Sequence, residues 1–361
     1  MRKRKDEGIA LILALLVLVI LVVVILQMTA SSLHNRTLAE NHLADLQNTY
    51  GARAGYQRAL IFLQIDQEKA PDVDTLKERW AGPIEFELGK AHVQVTVADS
   101  ERYINLSQLV NDKGEVVPTV ASQLRRLVKV LRHTPDIADR IIDYIDTDTR
   151  GEFEARAKND KLYNLEELLR IDGITPEILY GGTVDGQERK GLRDFLTIWP
   201  KTPPEGAQVG MVNINTAPSE VLQSLSDEMT PAVADAIVAY RTQPSNAVSG
   251  QPGQAGEFQK VDDLKRVPTM SDGIYASIQG QIVVKASTFE IRARGTVGKV
   301  EKAWVYVVQR KGGAGAAGGL TPPPQPPTSG AATPAPAASL TLVGAQALND
   351  YTSTKPPDAE K

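Results

Sequence analysis

Residues 8–26 of the chain are GIALILALLVLVILVVVIL. This stretch determines where the rest of the chain lies relative to a membrane. From Ile9 to Leu26 there are eighteen consecutive apolar residues without a charge, enough for a helix that crosses a bilayer. The octet before this run, MRKRKDEG, contains four basic side chains. Because cytosolic flanks carry an excess of Lys and Arg, this pattern places the N-terminus in the cytosol and exports the rest of the chain.

A basic start followed by an apolar run is also typical of a secretory signal that is cleaved and discarded. Here the run is longer than an ordinary signal core, and Gln27-Met28-Thr29 follows it instead of a small-x-small cleavage site. From Ser31 to Leu63 there is no proline, and apolar residues recur at helical spacing. We therefore expect a retained anchor that continues as an amphipathic helix, roughly 80 Å long in total at 1.5 Å per residue.

Four short segments of alternating apolar and polar residues predict an antiparallel sheet. Two are near each other, joined by Gly89-Lys90 as a hairpin turn, and two lie far downstream. They are IEFEL (Ile84–Leu88), AHVQVTVAD (Ala91–Asp99), TFEIRARGTVG (Thr288–Gly298) and EKAWVYVVQR (Glu301–Arg310). The predicted fold class is α+β: a long N-terminal helix, transmembrane and then amphipathic, packs on this sheet, and a large all-α subdomain with helix-hairpin-helix-like units is inserted between its strands.

This organisation divides the chain into six parts. They are a charged leader (1–8), a transmembrane helix (9–26), the amphipathic helix with the first strands (27–103), the inserted helical subdomain (104–285), the last strands (286–310) and a tail (311–361). The tail is rich in Gly, Ala and Pro, a composition that cannot bury a core, so it is predicted to be disordered. The short apolar patch Leu340–Val343 is the place where it could dock.

Composition excludes several classes of function. With 40 Lys and Arg against 44 Asp and Glu, the net charge is −4, which argues against a general nucleic-acid binder. The absence of cysteine excludes disulfides, thiolate zinc sites and cysteine nucleophiles. The nucleophile-elbow, zinc-protease and phosphate-loop motifs are also missing from the sequence. We therefore expect a protein that is not an enzyme.

The charged leader that ends in Gly8 directly before an apolar helix resembles a type IV prepilin signal. In such proteins the prepilin peptidase cuts after the glycine on the cytoplasmic side and methylates the new N-terminus. The resemblance therefore implies cleavage between Gly8 and Ile9 and N-methylation of Ile9. Most pilins and pseudopilins carry Glu at the fifth mature position, where it can pair with the amino terminus of a neighbouring subunit, but here that position is Leu13.

Five downstream segments narrow the resemblance to one branch. They are INLSQL (Ile104–Leu109), IIDYIDTD (Ile141–Asp148), NLEELLRIDGITPE (Asn164–Glu177), VNINTAPSEVLQSL (Val212–Leu225) and FQKVDDL (Phe258–Leu264). In this order, after a prepilin leader without Glu, they resemble general secretion pathway protein K. This family contains the large minor pseudopilins of type II secretion systems, which export folded proteins across the outer membrane. It has a pseudopilin α/β body with a large inserted α-domain.

The resemblance implies a structural function. The chain would form a complex with minor pseudopilins I and J that caps the pseudopilus tip and primes its assembly. It would also meet the major pseudopilin, the inner-membrane assembly platform and the prepilin peptidase. It would cross the bacterial inner membrane once, with its globular part in the periplasm. Leu13 fits a tip position because a subunit at the tip has no subunit ahead of it to pair with.

An acidic loop is the candidate metal site. Hard cations such as calcium need several oxygen ligands that converge on one point. Five carboxylates could supply them: Asp143, Asp146, Asp148, Glu152 and Glu154. Calcium binding is a trait of the resembled family, but here Tyr144 replaces the family's Trp and the loop that follows is shorter. A solvated acidic helix end is the other interpretation, and both stay open at this point.

Two other functions compete with the pseudopilin interpretation. Residues Ile214–Arg241 look like a helix-hairpin-helix unit, with Asn164–Leu179 as a second copy, and membrane-anchored DNA-uptake proteins use such units. DNA-binding hairpins present Gly-x-Gly to a phosphate, whereas this hairpin has Ser226-Asp227-Glu228-Met229-Thr230, whose two carboxylates would repel it. The sequence thus favours helical scaffolding, with DNA binding as the alternative and an anchored pilus-tip adhesin as a third possibility.

Overall fold

The computed structural model describes residues 3–184, 187–202, 208–243, 256–310 and 340–348. The helices are α1 (Lys3–Lys69), α2 (Pro118–Val130), α3 (Asp136–Ile145), α4 (Pro176–Tyr180), α5 (Ser219–Gln223), α6 (Pro231–Thr242) and α7 (Asp272–Ile278). The strands are β1 (Ile84–Leu88), β2 (Ala91–Asp99), β3 (Ile104–Asn105), β4 (Gly181–Val184), β5 (Gln187–Lys190), β6 (Leu196–Thr197), β7 (Val212–Asn213), β8 (Ile282–Val283), β9 (Thr288–Val297), β10 (Val300–Arg310) and β11 (Leu340–Leu348).

Helix α1 is continuous over 67 residues, as the uninterrupted helical pattern predicts, and is roughly 100 Å long. It ends two residues before Pro71, whose ring cannot continue a helix. In its second half, one face is buried against the sheet by side chains at helical spacing: Ala52, Tyr56, Ala59 and Leu63. The helix therefore has an apolar first half and a second half that belongs to the globular body.

The main sheet has five strands in the order β1-β2-β9-β10-β11, and every neighbouring pair in it is antiparallel. The first four strands lie where alternation predicts them, and Gly89-Lys90 connects β1 to β2. Strands β2 and β9 are neighbours in the sheet, yet residues 100–287 separate them along the chain. The predicted antiparallel sheet packed on a long helix is confirmed, and a large segment leaves and re-enters it at its centre.

That segment has its own apolar core, which extends from Ile104 to Ile282 and is distinct from the core between α1 and the sheet. The prediction that it is all-α is only partly right. Its helices are short, from 5 to 13 residues. Three two-stranded pairings accompany them: β3 with β6, β4 with β5, and β7 with β8. Prolines at helix starts and glycines with positive φ divide this region into turns, so long helices cannot form.

The tail departs from its prediction at one place. Residues 340–348 were expected to be part of a disordered segment, but they form β11, which pairs with β10. The sequence of this strand, LTLVGAQAL, contains no charge and no proline, so it can join a sheet edge. The rest of the tail, 311–339 and 349–361, lies outside the described residues.

Glycines let α1 approach the sheet closely. A Cβ at Gly55 would lie 2.5 Å from Val95 Cγ2 and 3.1 Å from Val93 Cγ1, and a Cβ at Gly51 would lie 3.0 Å from Val93 Cγ2. On the sheet side, a Cβ at Gly295 would lie 2.6 Å from the carbonyl oxygen of Asn48. In the sequence, Gly51 and Gly55 only weaken a helix. In the structure they leave room for the backbones to meet.

The substitution Gly55→Ala distinguishes helix propensity from packing. Propensity alone predicts a gain of about 1 kcal/mol. The contact with Val95 predicts a net loss of roughly 1–3 kcal/mol, as overpacking does elsewhere. Denaturant unfolding of the full chain in detergent measures the sign. Gly280→Ala is the matched control, because nothing lies within 4 Å of a Cβ at that position, and a stabilised Gly55→Ala protein would contradict the close approach.

Candidate functional site

The first half of α1 is an exposed apolar surface. Every residue from Leu11 to Leu26 is exposed, including Leu13 at 55%. By length and composition α1 could cross a membrane, and none of its apolar window is buried within the described part of the chain. Gly8 and Ile9 lie on the same helix, but their side-chain surroundings are outside the described residues. A surface of this size must be covered by lipid or by other helices.

A second exposed apolar stripe continues along α1 above the predicted membrane segment. Leu43, Leu46 and Tyr50 are 54%, 55% and 62% exposed. At 100° per residue they lie on the face of α1 opposite the one that packs on the sheet. Because the sheet already occupies the other face, this stripe is available to a neighbouring helix.

A buried cluster of charged side chains, called here the ion cluster, lies where α1 ends. The Arg310 guanidinium, 6% exposed at the end of β10, donates to both carboxylate oxygens of Asp74 at 2.6 and 2.7 Å. It also donates to Asp66 at 3.1 Å, on the last turns of α1. The backbone N–H of Ala286 donates to Asp74 Oδ2 at 2.7 Å. One cation thus joins helix α1, the segment after it and strand β10.

The carboxylates of this cluster have perturbed pKa values. Burial and the nearby charge of Asp74 raise the pKa of Asp66 to about 6, although Arg310 opposes the shift. Burial and the charge of Asp66 raise the pKa of Glu78 to about 8, and the Trp80 indole donates to Glu78 at 2.6 Å. The side chains of Asp66, Asp74 and Glu78 are close enough to bind a metal ion, but Arg310 already supplies the positive charge there. The arrangement is therefore a structural clamp.

A second set of buried polar groups fastens the inserted region at its entrance. Asp99 ends β2, and its Oδ2 accepts from Asn213 Nδ2 at 2.8 Å and from Thr216 Oγ1 at 2.6 Å. Its Oδ1 accepts from the backbone N–H of Glu101 at 2.7 Å. Burial raises the pKa values of both Asp99 and Glu101. The segment Asn213–Thr216 therefore has a structural role that its letters alone do not reveal.

The inserted region holds this segment from its other side as well. Asn215 exchanges two hydrogen bonds of 2.9 Å with the backbone of Phe258. Arg241, on α6, donates to the carbonyl oxygens of Ile214 and Ala217 at 2.6 and 2.7 Å. These bonds connect the base of the inserted region to its helices, so the region is held to the sheet as well as linked to it along the chain.

The acidic loop brings together three of its five predicted ligands. The carboxylates of Asp146, Asp148 and Glu154 have oxygens within 4.8 Å of one another. Asp143 instead accepts a hydrogen bond of 2.9 Å from the backbone N–H of Phe153, and Glu152 is exposed and outside the group. The predicted ligand set is thus reduced from five carboxylates to those of Asp146, Asp148 and Glu154. Asp143 instead holds the backbone of the loop through its hydrogen bond with Phe153.

The chemistry of these three residues fits a hard cation. Asp146 is 5% exposed, and its Oδ1 has no hydrogen-bond partner among the described residues. Both carboxylate oxygens of Glu154 are likewise buried and unpartnered there. Burial, and then the charges of Asp148, Glu154 and Asp143, raise the pKa of Asp146 to about 6. Uncompensated buried carboxylate oxygens of this kind are what a calcium ion would satisfy.

Sequence reasoning missed one residue of this loop. Asn159 has a positive φ of 54°, and its Nδ2 donates to the carbonyl oxygen of Asp148 at 3.1 Å. Its backbone N–H donates to the carbonyl oxygen of Tyr144 at 3.0 Å, so it closes the loop onto the end of α3. Its Oδ1 is buried without a partner in the described structure, as are the carboxylate oxygens above. Asn tolerates the left-handed conformation better than most residues, which is the signal that the sequence offered.

The helix-hairpin-helix interpretation can also be compared with the geometry. In the first unit, α5 has 5 residues and α6 has 12. In the second, the first helix is a 3₁₀ helix, Leu165–Arg170, followed by the short α4. At the tip of the first hairpin, the side chain of Asp227 is 75% exposed and pairs with Arg126 at 3.2 Å, and Glu228 is exposed beside it. This tip presents negative charge to solvent.

Two stretches of the chain match models of a known protein family. Residues 103–180 and 212–285 each match a family model described as type II secretion system, protein K. The two matches contain the acidic loop and the segment Asn213–Thr216. Among curated proteins, no sequence match was found.

A solved structure shares the fold. It is a chain of the GspK–GspI–GspJ complex from the type 2 secretion system of enterotoxigenic Escherichia coli. The TM-score is 0.60 at 18% sequence identity, and the match covers 88% of this chain and 100% of that chain. The chain thus matches models of type II secretion system protein K over residues 103–180 and 212–285, and it shares the fold of the solved chain.

Proposed function

We propose that this chain caps and primes the pseudopilus as part of a tip complex with minor pseudopilins I and J. The observation that carries the proposal is the long helix α1, whose face opposite the sheet exposes Leu43, Leu46 and Tyr50 beyond an exposed apolar half. The similar chain of the solved structure comes from a complex with two partners, GspI and GspJ. A helix with one free apolar face is what packing against such partners requires.

The inserted region supports a position at the tip. It occupies residues 100–287 and is fastened to the sheet by Asp99 and Asn213, so it cannot swing away from the body. A subunit with this bulk would clash if it were repeated along a helical filament. Leu13 adds to the argument, because it removes the carboxylate that would pair with a subunit ahead of it.

We further propose the topology implied by the leader. The prepilin peptidase cuts between Gly8 and Ile9, Ile9 becomes the N-methylated terminus, and the helix from Ile9 to Leu26 remains as a single inner-membrane span. The basic leader keeps the N-terminus in the cytoplasm, and the globular part lies in the periplasm. At the inner membrane the chain meets the assembly platform and the major pseudopilin. Its role is assembly rather than catalysis, because the buried titratable groups at Arg310 and Asp99 form structural bonds.

The DNA-binding alternative finds less support. A phosphate approaching the first hairpin would meet the exposed carboxylates of Asp227 and Glu228. The buried Arg241 donates to backbone carbonyls within the unit. The hairpins therefore act as scaffolding in this proposal.

Co-purification tests the tip complex. When the tagged full chain is expressed with minor pseudopilins I and J of the same system, we expect both to be retained on it in detergent. Leu43→Ser and Leu46→Ser should each weaken retention by roughly tenfold, about 1.4 kcal/mol, because each removes an exposed apolar anchor. Leu88→Ser, an exposed leucine on strand β1, is the matched control. If all three variants retain the two partners equally, the exposed stripe on α1 is not part of the interface.

Mass spectrometry of the mature N-terminus tests the leader. From membranes that contain a prepilin peptidase, we expect a chain that begins with N-methylated Ile9. Gly8→Val should leave the full leader in place, since a side chain at this position obstructs close approach of the peptidase, while membrane insertion continues. An intact leader on the natural chain would favour an ordinary signal anchor and would revive the DNA-binding alternative.

We also propose that the acidic loop binds calcium through Asp146, Asp148 and Glu154. The buried, unpartnered oxygens of Asp146 and Glu154 support this proposal. The raised pKa of Asp146 predicts the direction in which the stability of the ion-free protein changes with pH, and this direction can be measured. Because the folded-state pKa, about 6, exceeds the unfolded value of 3.8, the ion-free folded state loses stability as the pH rises from about 4 to above 6.

Asp146→Asn should therefore change the stability in opposite directions with and without calcium. In a chelator at pH 7.5, the variant should melt at a higher temperature than the natural chain, because it removes a buried charge. In calcium at a thousand times its dissociation constant, the natural chain should gain about 4.1 kcal/mol. This exceeds the roughly 3 kcal/mol that corresponds to the raised pKa of Asp146, so the natural chain should become the more stable. Glu152→Gln, outside the group, should follow the natural chain in both. If calcium does not change the melting temperature of the natural chain, the proposed calcium site is wrong.

A further inference from the structure

Strand β11 covers what would otherwise be an open edge of the main sheet. It pairs with β10 in register from Ala303 opposite Leu348 to Arg310 opposite Leu340. The first six residues of the covered stretch of β10, Ala303–Val308, read AWVYVV and carry no charge, and Gln309 and the buried Arg310 complete it. An uncovered apolar edge of this kind readily pairs with strands of other chains. The other edge of the sheet, β1, is short and has Glu85 and Glu87 to discourage such pairing.

Side-chain packing holds β11 only in part. Leu340 packs against the core between α1 and the sheet. Leu342 and Val343 remain 47% and 42% exposed, and the register shifts by one residue at this point. Backbone hydrogen bonds to β10 therefore supply much of what keeps β11 in place. Strand addition to a sheet edge relies on the same bonds.

Position 344 of β11 accepts only glycine. A Cβ at Gly344 would lie 2.7 Å from Trp199 Cη2 and 2.9 Å from Cζ3, so only a residue without a side chain fits opposite this ring. Trp199 belongs to the inserted region and is half-buried, and the Lys201 ammonium lies 5.1 Å from its ring centroid. The edge of β10 and the Trp199 ring thus form a groove with a defined requirement: an extended, uncharged segment with glycine at one position.

Chain connectivity adds little to the placement of β11. Arg310 and Leu340 are register partners, yet 29 residues, 311–339, join them along the chain. Hairpin connections usually have 2–5 residues. A connection of this length acts as a tether whose effective concentration is on the order of millimolar, and a free strand at higher effective concentration or affinity can compete with it.

We propose that the edge of β10 and Trp199 form a peptide-binding site, and that residues 340–348 are its resident ligand. An extended, uncharged strand of the same chemistry, presented by another chain, displaces them and extends the sheet in their place. The site takes main-chain hydrogen bonds along β10 and selects glycine opposite Trp199. This inference goes beyond the tip-complex proposal and does not depend on it.

Cutting the tether tests the site directly. In the full chain in detergent, a protease site introduced within 311–339 allows the tail to be severed after folding. The severed segment should stay bound, and excess fluorescent peptide with the sequence of residues 338–350 should replace it. The uncut chain should bind that peptide roughly a hundredfold more weakly, because the tethered strand competes at millimolar effective concentration.

Complementary substitutions show whether the strand occupies the groove. A peptide that carries Gly344→Val should lose binding to the severed chain, and Trp199→Ala in the chain should restore it, since the ring no longer meets the new side chain. A disulfide across the register pair Gln309→Cys and Thr341→Cys should abolish peptide exchange until it is reduced. The chain has no other cysteine to interfere.

Two outcomes would overturn the proposal. If the severed segment leaves and the peptide fails to bind, while the melting curve of the body is unchanged, the edge of β10 is not a binding site. If the severed segment stays but never exchanges with excess peptide, β11 is a fixed part of the sheet. Because both readouts are made on the purified chain without partners, neither outcome bears on the tip complex.

Discussion

The ion cluster at Arg310 is the constraint on which the rest of the body depends. It brings together three parts of the chain that are far apart in sequence, since Arg310 is separated from Asp74 by 236 positions and from Asp66 by 244. Removing one partner of a buried ion pair typically costs about 3–5 kcal/mol, because the remaining charge has no solvent. With two carboxylates on one guanidinium, this loss would fall on helix α1 and on β10 together.

The position of this cluster explains how the body of α1 and the main sheet tolerates such a large insertion. The inserted region leaves the sheet at Asp99 and returns at Thr288, on two neighbouring central strands. Asp74 closes the space between these points: its side chain accepts from Ala286, and its carbonyl oxygen accepts from Asn213. The same residue therefore contacts the clamp and the insertion. The bonds of Asp74 that connect the sheet to α1 therefore also orient the inserted region relative to the sheet.

Much of the fold could be predicted because its signals are local. The long helix follows from an uninterrupted pattern, and the hairpin of β1 and β2 follows from alternation around Gly89-Lys90. Other features depend on contacts between residues that are far apart in the sequence, and no short stretch of sequence reveals such contacts. Gly55 weakens a helix in isolation, and only the proximity of Val95 shows its purpose. Likewise, the composition of the tail predicts disorder, whereas β11 pairs with the mostly apolar edge of β10.

The same distinction applies to the candidate site. Acidic residues around Asp146 could be listed from the sequence, but five carboxylates in one loop do not show which of them converge. The fold selects by burial: Asp146 points into the protein, Glu152 faces solvent, and Asp143 is used by the backbone of Phe153. Because charge is costly only where water is excluded, burial turns an acidic loop into a candidate cation site. Burial also distinguishes Arg310, whose charge is neutralised by Asp74 and Asp66, from Asp146, whose Oδ1 has no hydrogen-bond partner among the described residues.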